Sequence, residues 1–377
     1  MQIPGGGDYM ASPVYFAPLR ARSERESKVM KVRRLFDEAG FGDLIDERDL
    51  TAIKIHFGER GGDSYIHPVL VRQIVDAVQE RRGKPFITDT GTLYRGSRSN
   101  AVDHLSTAIH HGFAYAVVNA PLLISGGLKG SGVTQIPIQG KHFSIVRIAT
   151  DIVEADAMVV LSHFKAHMLA GFGGAIKNLA MGCAPPSGKK EQHSARAQVH
   201  EELCEACGRC EEVCPEGAIS LGEGVSHINR ALCVGCGECM TVCPVTAIEF
   251  DWTVDIPLFV ERMTEYALGA VQGKQGKVGY YNFLLNITPD CDCVPWSDAP
   301  VVPDIGILAS RDPVALDHAS YDLVNAQAGL TESALHHHHE RGKDKFQGIW
   351  EHTLGFRQIE YGEEIGLGKI YYQLEEI

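Results

Sequence analysis

"CEACGRCEEVCPEGAI", residues 204–219, recurs as "CVGCGECMTVCPVTAI", residues 233–248. The two copies share every cysteine, the central glycine, the V-C-P and the A-I that follows. Each reads C-x2-C-x2-C-x3-C-P, a run that binds bacterial iron–sulfur clusters. Three thiolates spaced in this way wrap a tight loop around one corner of a cubane. The fourth, followed by proline, lies too far round for the same cluster and crosses to the other. Cys204, Cys207, Cys210 and Cys243 are therefore expected to hold one [4Fe–4S] cluster. Cys233, Cys236, Cys239 and Cys214 are expected to hold a second. Two four-cysteine zinc sites are the competing reading, but such sites pair C-x2-C knuckles across a longer gap.

Outward from the repeat the pattern changes. Before it, "VYFAPL", "TAIKIHF", "PFITDT", "AYAVVNA", "FSIVRIA" and "AMVVLS" read as strands. Between them, Ser23 and Glu26 form a capping-box pattern ahead of Val29, Val32, Phe36 and Ala39 on one helix face. Pro68 opens another helix, with a stripe of Val71, Ile74, Val75 and Val78. After the repeat come a helix over "PLFVERMTEYAL", strands "KVGYYNFLL" and "DIGILA", a helix opened by Asp312 and Pro313, and a last strand, "KIYYQL". Alternation of strand and helix implies a largely parallel sheet with helices on its faces. Neither flank alone makes a complete sheet. The expected fold is α/β: a discontinuous, largely parallel-sheet domain with an inserted small α+β dicluster ferredoxin-like module. Its expected parts are a flexible leader over 1–11, the first part of the α/β domain over 12–198, the insert over 199–251 and the second part over 252–377.

The eleven cysteines are confined to positions 183–293, and the N-terminus lacks a signal-peptide pattern. Clustered cysteines in a large chain then argue for metal binding in a cytoplasmic protein, not a disulfide framework. A net charge of −13 disfavours nucleic acid or an acidic membrane face as partner. No apolar run approaches the roughly 20 residues that cross a bilayer.

In open α/β sheets, sites form beyond the carboxyl ends of the strands. Three such ends deliver His56, then Asp89 with Tyr94 and Arg95, then His163, Lys165 and His167. If the strands are neighbours, His56, Arg95, Lys165 and His167 meet in one cationic cleft suited to a small anionic substrate. The plainer reading makes Asp89 a turn cap and the histidines surface groups. "GFGGAIKN", residues 171–178, puts Gly171, Gly173 and Gly174 before a helix, where free N–H groups and Lys177 could hold an anion. It lacks the ending of a phosphate-binding P-loop, and close packing of the loop against the iron–sulfur insert is the alternative.

"PDCDCVP", residues 289–295, carries two cysteines outside the repeat. Alternate residues of an extended chain face opposite ways, so Cys291 and Cys293 share a ligand only if this segment turns. Asp292 and the prolines favour a turn. With Cys183 and His193 they make a four-ligand set for a third metal centre. A redox-active dithiol is the other functional reading, and unrelated packing the bland one.

The repeat resembles a two-cluster bacterial ferredoxin over residues 199–251. The flanks resemble the proteins grouped as domain of unknown function 362, many of which carry this insert. "IKIHFGERGGDSYIHP", "ITDTGTLYRGSR", "SHFKAHMLAGFGGAIKNLAMGCAP", "GKKEQHS", "NITPDCDC", "PDIGILASRDPVALD" and "EEIGLGKIYY" carry that resemblance. It implies an iron–sulfur protein of redox character. The function expected is an oxidoreductase whose two [4Fe–4S] clusters relay electrons to a polar cleft, with a redox partner protein or a small anionic substrate. An electron carrier without chemistry of its own and a metallocofactor or cluster maturation factor are the alternatives. No dinucleotide-binding glycine motif follows a strand, and the sequence leaves a flavin open.

Overall fold

The computed structural model describes residues 11–94, 96–193, 197–233, 235, 237–250 and 255–377. Arg95, Cys236, residues 1–10 of the expected leader and the expected boundary at 251/252 lie outside them. The main sheet has eight strands: β1 Ser12–Pro18, β2 Leu50–Ile55, β3 Lys84–Thr90, β4 Leu122–Ser125, β5 Ala157–His163, β6 Val278–Leu284, β7 Gly306–Ser310 and β8 Tyr372–Glu376. Their order is β8-β1-β7-β6-β5-β2-β3-β4. Every neighbouring pair is parallel except the two that involve β7. Both flanks of the cysteine repeat thus supply strands to one sheet.

The central strands are apolar without alternation because helices cover both faces. Met158 and Val160 of β5 face one core, with Leu179 and Phe259. Val159 and Leu161 face the other, with Val32, Phe36 and Val71. Helices α1 Lys28–Glu38 and α2 Pro68–Glu80 close the second face. Beside β4 lies α3 Ala101–His110, whose first turn is capped by Asn100. The first face is closed by α4 Ala175–Cys183, α5 Pro186–Gln192, α6 Asp255–Val271 and α7 Pro313–Asn325.

Three local expectations change. Ser27, not Ser23, caps α1, by accepting from Met30 N, while Glu24–Glu26 forms a 3-10 turn. "AYAVVNA" makes a single helical turn, Tyr115–Val118, ended by Asn119 in the left-handed region. Only Val118 of that turn is buried, so a strand there would gain little. "FSIVRIA" is a strand, Ile145–Ala149, but it pairs with Val133–Pro137 in a hairpin outside the main sheet.

Each copy of the cysteine repeat folds as a loop, a short helix and a strand. The helices are Arg209–Val213 and Glu238–Thr241, each entered through a left-handed glycine, Gly208 or Gly237. The strands are Ile219–Gly222, paired with Val225–Ile228, and Ile248–Phe250, paired with Ala197–Val199. Ala197 begins that last strand two residues ahead of the expected start of the insert.

Candidate functional site

Strands β6, β5, β2 and β3 are adjacent and parallel, so their carboxyl ends open on one edge. From β2 comes His56, from β3 Asp89 and Thr90, from β5 His163 and Lys165, and from β6 the loop that holds "PDCDCVP". A cavity at this edge is lined by His56, His167, Lys177, Lys189, Cys291 and Cys293, among others. Lys165 borders an adjoining cavity that shares His56, Lys177 and Cys291. Of the four residues expected to converge, His56 and His167 line the first cavity, Lys165 lines only the adjoining one, and Arg95 lies outside the described residues. Arg98, three residues beyond Arg95, lines the same cavity.

The cysteine loop is turned, with Val294 N–H donating to Cys291 O at 3.1 Å. Asp292 pins it from behind. Its carboxylate accepts from Ser64 Oγ at 2.7 Å and His163 Nδ1 at 2.9 Å, and Lys165 Nζ lies 3.3 Å away. Its backbone carbonyl accepts from Glu59 N–H at 2.9 Å. The two thiols are left on the cavity side, where Cys291, Cys293 and His167 bring ligand atoms within 4.8 Å of one another. Lys177 Nζ stands 3.6 Å from Cys291 Sγ.

The expected four-ligand set is corrected by this geometry. Cys183 ends α4 in the apolar core, where burial pushes its thiol up to about 11. His193 lines the cavity, but its Nδ1 lies 2.9 Å from Gly235 O and its ring lies against Phe259. His167 takes the place next to the thiol pair that the sequence assigns to these two.

The expected anion cradle is also corrected. The N–H groups of Ala175 and Ile176, which open α4, donate to the buried carboxylate of Asp317 at 2.7 and 2.9 Å. A side chain on Gly174 would run into that carboxylate, and one on Gly171 into the backbone of Gly355. These glycines serve close packing, but against Asp317 and Gly355 rather than against the cysteine-rich insert. Gly171 and Gly173 lie in a strand, Gly171–Gly173, paired with Lys165–His167. Lys177, a turn further along α4, points to the thiol pair instead.

Buried charges surround the site in pairs. Lys54, fully buried in β2, lies 3.0 Å from Asp89. Arg98 bonds Glu59 at 3.1 Å and stands 2.9 Å from His56 Nε2. Burial pushes Asp89 up, but Lys54, His56, His104 and Arg98 together hold its carboxyl below the usual range. Burial, then Arg98, holds His56 well below the usual imidazole range. Burial and Lys177 do the same for His167. A bond from the Cys293 thiol holds Cys291 well below the usual thiol range, with Lys177 and Lys165 assisting against burial. Burial brings Lys189 down to about 7, where it contacts Thr90 Oγ1 and Ala184 O. Burial, with Glu59, lifts Glu238 to about 7 on the facing wall.

The repeat cysteines line two small cavities. Cys204, Cys207, Cys210 and Cys243 line one. Cys214, Cys233 and Cys239 line the other, and Gly237 and Glu238 border both this cavity and the sheet-edge cavity. Ala218 N–H and Ala247 N–H donate to Cys214 Sγ and Cys243 Sγ, each at 3.2 Å. Bonds from Ser226 and Ala206 N–H hold the Cys204 thiol below its usual range.

Lys54, Asp292 and Lys189 escaped the sequence reading. One signal was available for Lys54: a lysine between two isoleucines of the strand "TAIKI" needs a buried partner. Among the described residues no helix is long and apolar enough to cross a membrane.

The fold is that of an α/β protein with a cavity at the carboxyl edge of a mostly parallel sheet. The chain belongs to the family described as a domain of unknown function (DUF362), whose model matches residues 51–322. No curated protein matches it. Among solved structures it is similar to the lactate racemase apoprotein of Thermoanaerobacterium thermosaccharolyticum, at 14% identity and a TM-score of 0.38. That match covers 73% of this chain and 51% of that one. A protein from Thermotoga maritima matches at 8% identity and a TM-score of 0.36, over 69% of this chain and 50% of that one. The chain thus spans about half the length of these two structures.

Proposed function

We propose that this chain is an iron–sulfur oxidoreductase in which a ferredoxin-like insert serves a reaction site at the sheet edge of the α/β domain. The observation that carries the reading is the shared wall. Gly237 and Glu238, inside the second cysteine run, border both a thiol-lined cavity and the cavity of Lys177, Cys291 and Cys293. Two [4Fe–4S] clusters, one in each thiol-lined cavity, supply one-electron transfer when bound. Cys204, Cys207, Cys210 and Cys243 would hold one, and Cys214, Cys233, Cys236 and Cys239 the other. The donor chemistry suits them: the described metal-ligating side chains of the first cavity are thiols, apart from Glu205, and N–H groups point at sulfur. At the reaction site, Lys177 supplies positive charge for an anionic substrate. Asp292, held by His163, Lys165 and Ser64, fixes the loop that presents the thiols.

Anaerobic purification with iron and sulfide analysis tests this. The expected result is about eight irons and eight sulfides per chain, with two interacting spin-half centres on reduction. Stoichiometric zinc with no iron would sink the proposal. Cys243→Ser should damage the cluster held with Cys204, Cys207 and Cys210 and spare the other.

A further inference from the structure

We infer that Cys291 and Cys293 form a thiol–disulfide redox pair for a small anionic substrate, not a third metal centre. The inference deepens the redox reading above and rests on it only for the source of electrons in the cell. Position comes first. Both residues line the cavity, Cys291 buried and Cys293 half-buried, whereas Cys183 faces the apolar core. The turn closed by Val294 N–H puts both on one side of the chain, close enough for side-chain rotation to join them.

His167 decides between metal and disulfide. Its Nδ1 accepts N–H groups from Leu169 and Ala170, each at 3.1 Å. A metal ligand must present a free lone pair. The Nδ1 lone pair is engaged twice, and a neutral ring in that state keeps its proton on Nε2. Neither nitrogen is therefore prepared to bind metal. Lys177 points the same way. An ammonium 3.6 Å from Cys291 Sγ stabilises a thiolate and repels a divalent cation bound to it. With Asp89 paired to Lys54, and Glu59 to Arg98, Lys177 remains as a cation on the cavity wall.

The reaction balances as follows for a small disulfide. The Cys291 thiolate bonds to one substrate sulfur as the substrate S–S bond breaks, and the departing thiolate takes a proton. Cys293 then gives up its proton and attacks Cys291 Sγ, releasing the second substrate thiol. Two electrons have passed to the substrate with two protons, one from Cys293 and one from solvent, and the pair is left as a disulfide. A dithiol, or two equivalents of a one-electron donor with two protons, restores it.

The test uses the full chain, purified anaerobically and exposed to glutathione disulfide, then acid-quenched, denatured, alkylated and digested with trypsin. Residues 278–311 leave as one peptide, bounded by Lys277 and Arg311, in which Cys291 and Cys293 are the cysteines. The expected peptide takes two alkyl groups before exposure, none after, and two again after dithiothreitol. Two free thiols after exposure would overturn the inference. So would a stoichiometric transition metal, beyond any cluster iron, that Cys291→Ser removes. Glutathione disulfide should oxidise the pair about tenfold faster than cationic cystamine at equal concentration; equal or reversed rates would overturn the anionic preference. Iron and sulfide are measured on the same sample. Switching without iron sinks only the iron–sulfur reading, and full iron without switching sinks only this one.

Discussion

Lys54 lies wholly buried in β2, 3.0 Å from Asp89 and 2.7 Å from Asn178 Oδ1. Asp89→Asn leaves that ammonium without its counter-charge, and breaking a buried pair this way costs about 3–5 kcal/mol. Chemical denaturation should show the loss; an unchanged midpoint would mean that the pair is not closed in solution. Lys189 gives a pH signature. Its value falls from an ordinary 10.5 to about 7 on folding, chiefly through burial. Between these two values the unfolded chain holds a proton that the folded chain releases, so this residue's contribution to stability rises with pH across that window. Unfolding free energy measured against pH should rise less steeply there in Lys189→Met; an identical slope refutes the shift. Little of this was legible beforehand. His56, Lys165 and His167 could be read because each follows a strand. Asp292 could not, since its partners Ser64 and His163 are distant in sequence and meet it only through the sheet.

At the scale of the element, α4 shows why a glycine-rich helix start is ambiguous. "GFGGAIKN" has the composition of an anion cradle, but the anion is already present as the Asp317 carboxylate from α7. That carboxylate also accepts from Asn282 Nδ2 at 2.7 Å and rises to about 6, burial being the main cause. Gly174→Ala forces a methyl group against it. The expected cost is about 1–3 kcal/mol, as for other overpacked sites, read as a lowered melting temperature. Gly273→Ala, where an added methyl meets nothing but the backbone is left-handed, should show only the smaller conformational cost. Equal losses in the two variants would remove Asp317 from the account. Helix α2, with its strong helical period, and β6, a nearly continuous apolar run, were legible. "AYAVVNA" was not, because its apolar residues suit either period and Asn119 sets the outcome.

For the whole molecule, the order of strands explains what the sequence could and could not disclose. The alternation of elements implied a parallel sheet, and the break at the cysteine repeat implied an excursion from it. The antiparallel β7 and the adjacency of β5 to β6 depend on contacts across the whole chain, which no local pattern carries. Ala197–Val199 pairs with Ile248–Phe250, so the excursion departs and returns along one short strand pair. In polymer terms it is a loop already closed at its neck. Doubling such a loop adds only about 0.6 kcal/mol of closure entropy, so its length weighs little on the host. The α/β sheet can therefore acquire, lengthen or lose the excursion without re-threading any of its eight strands.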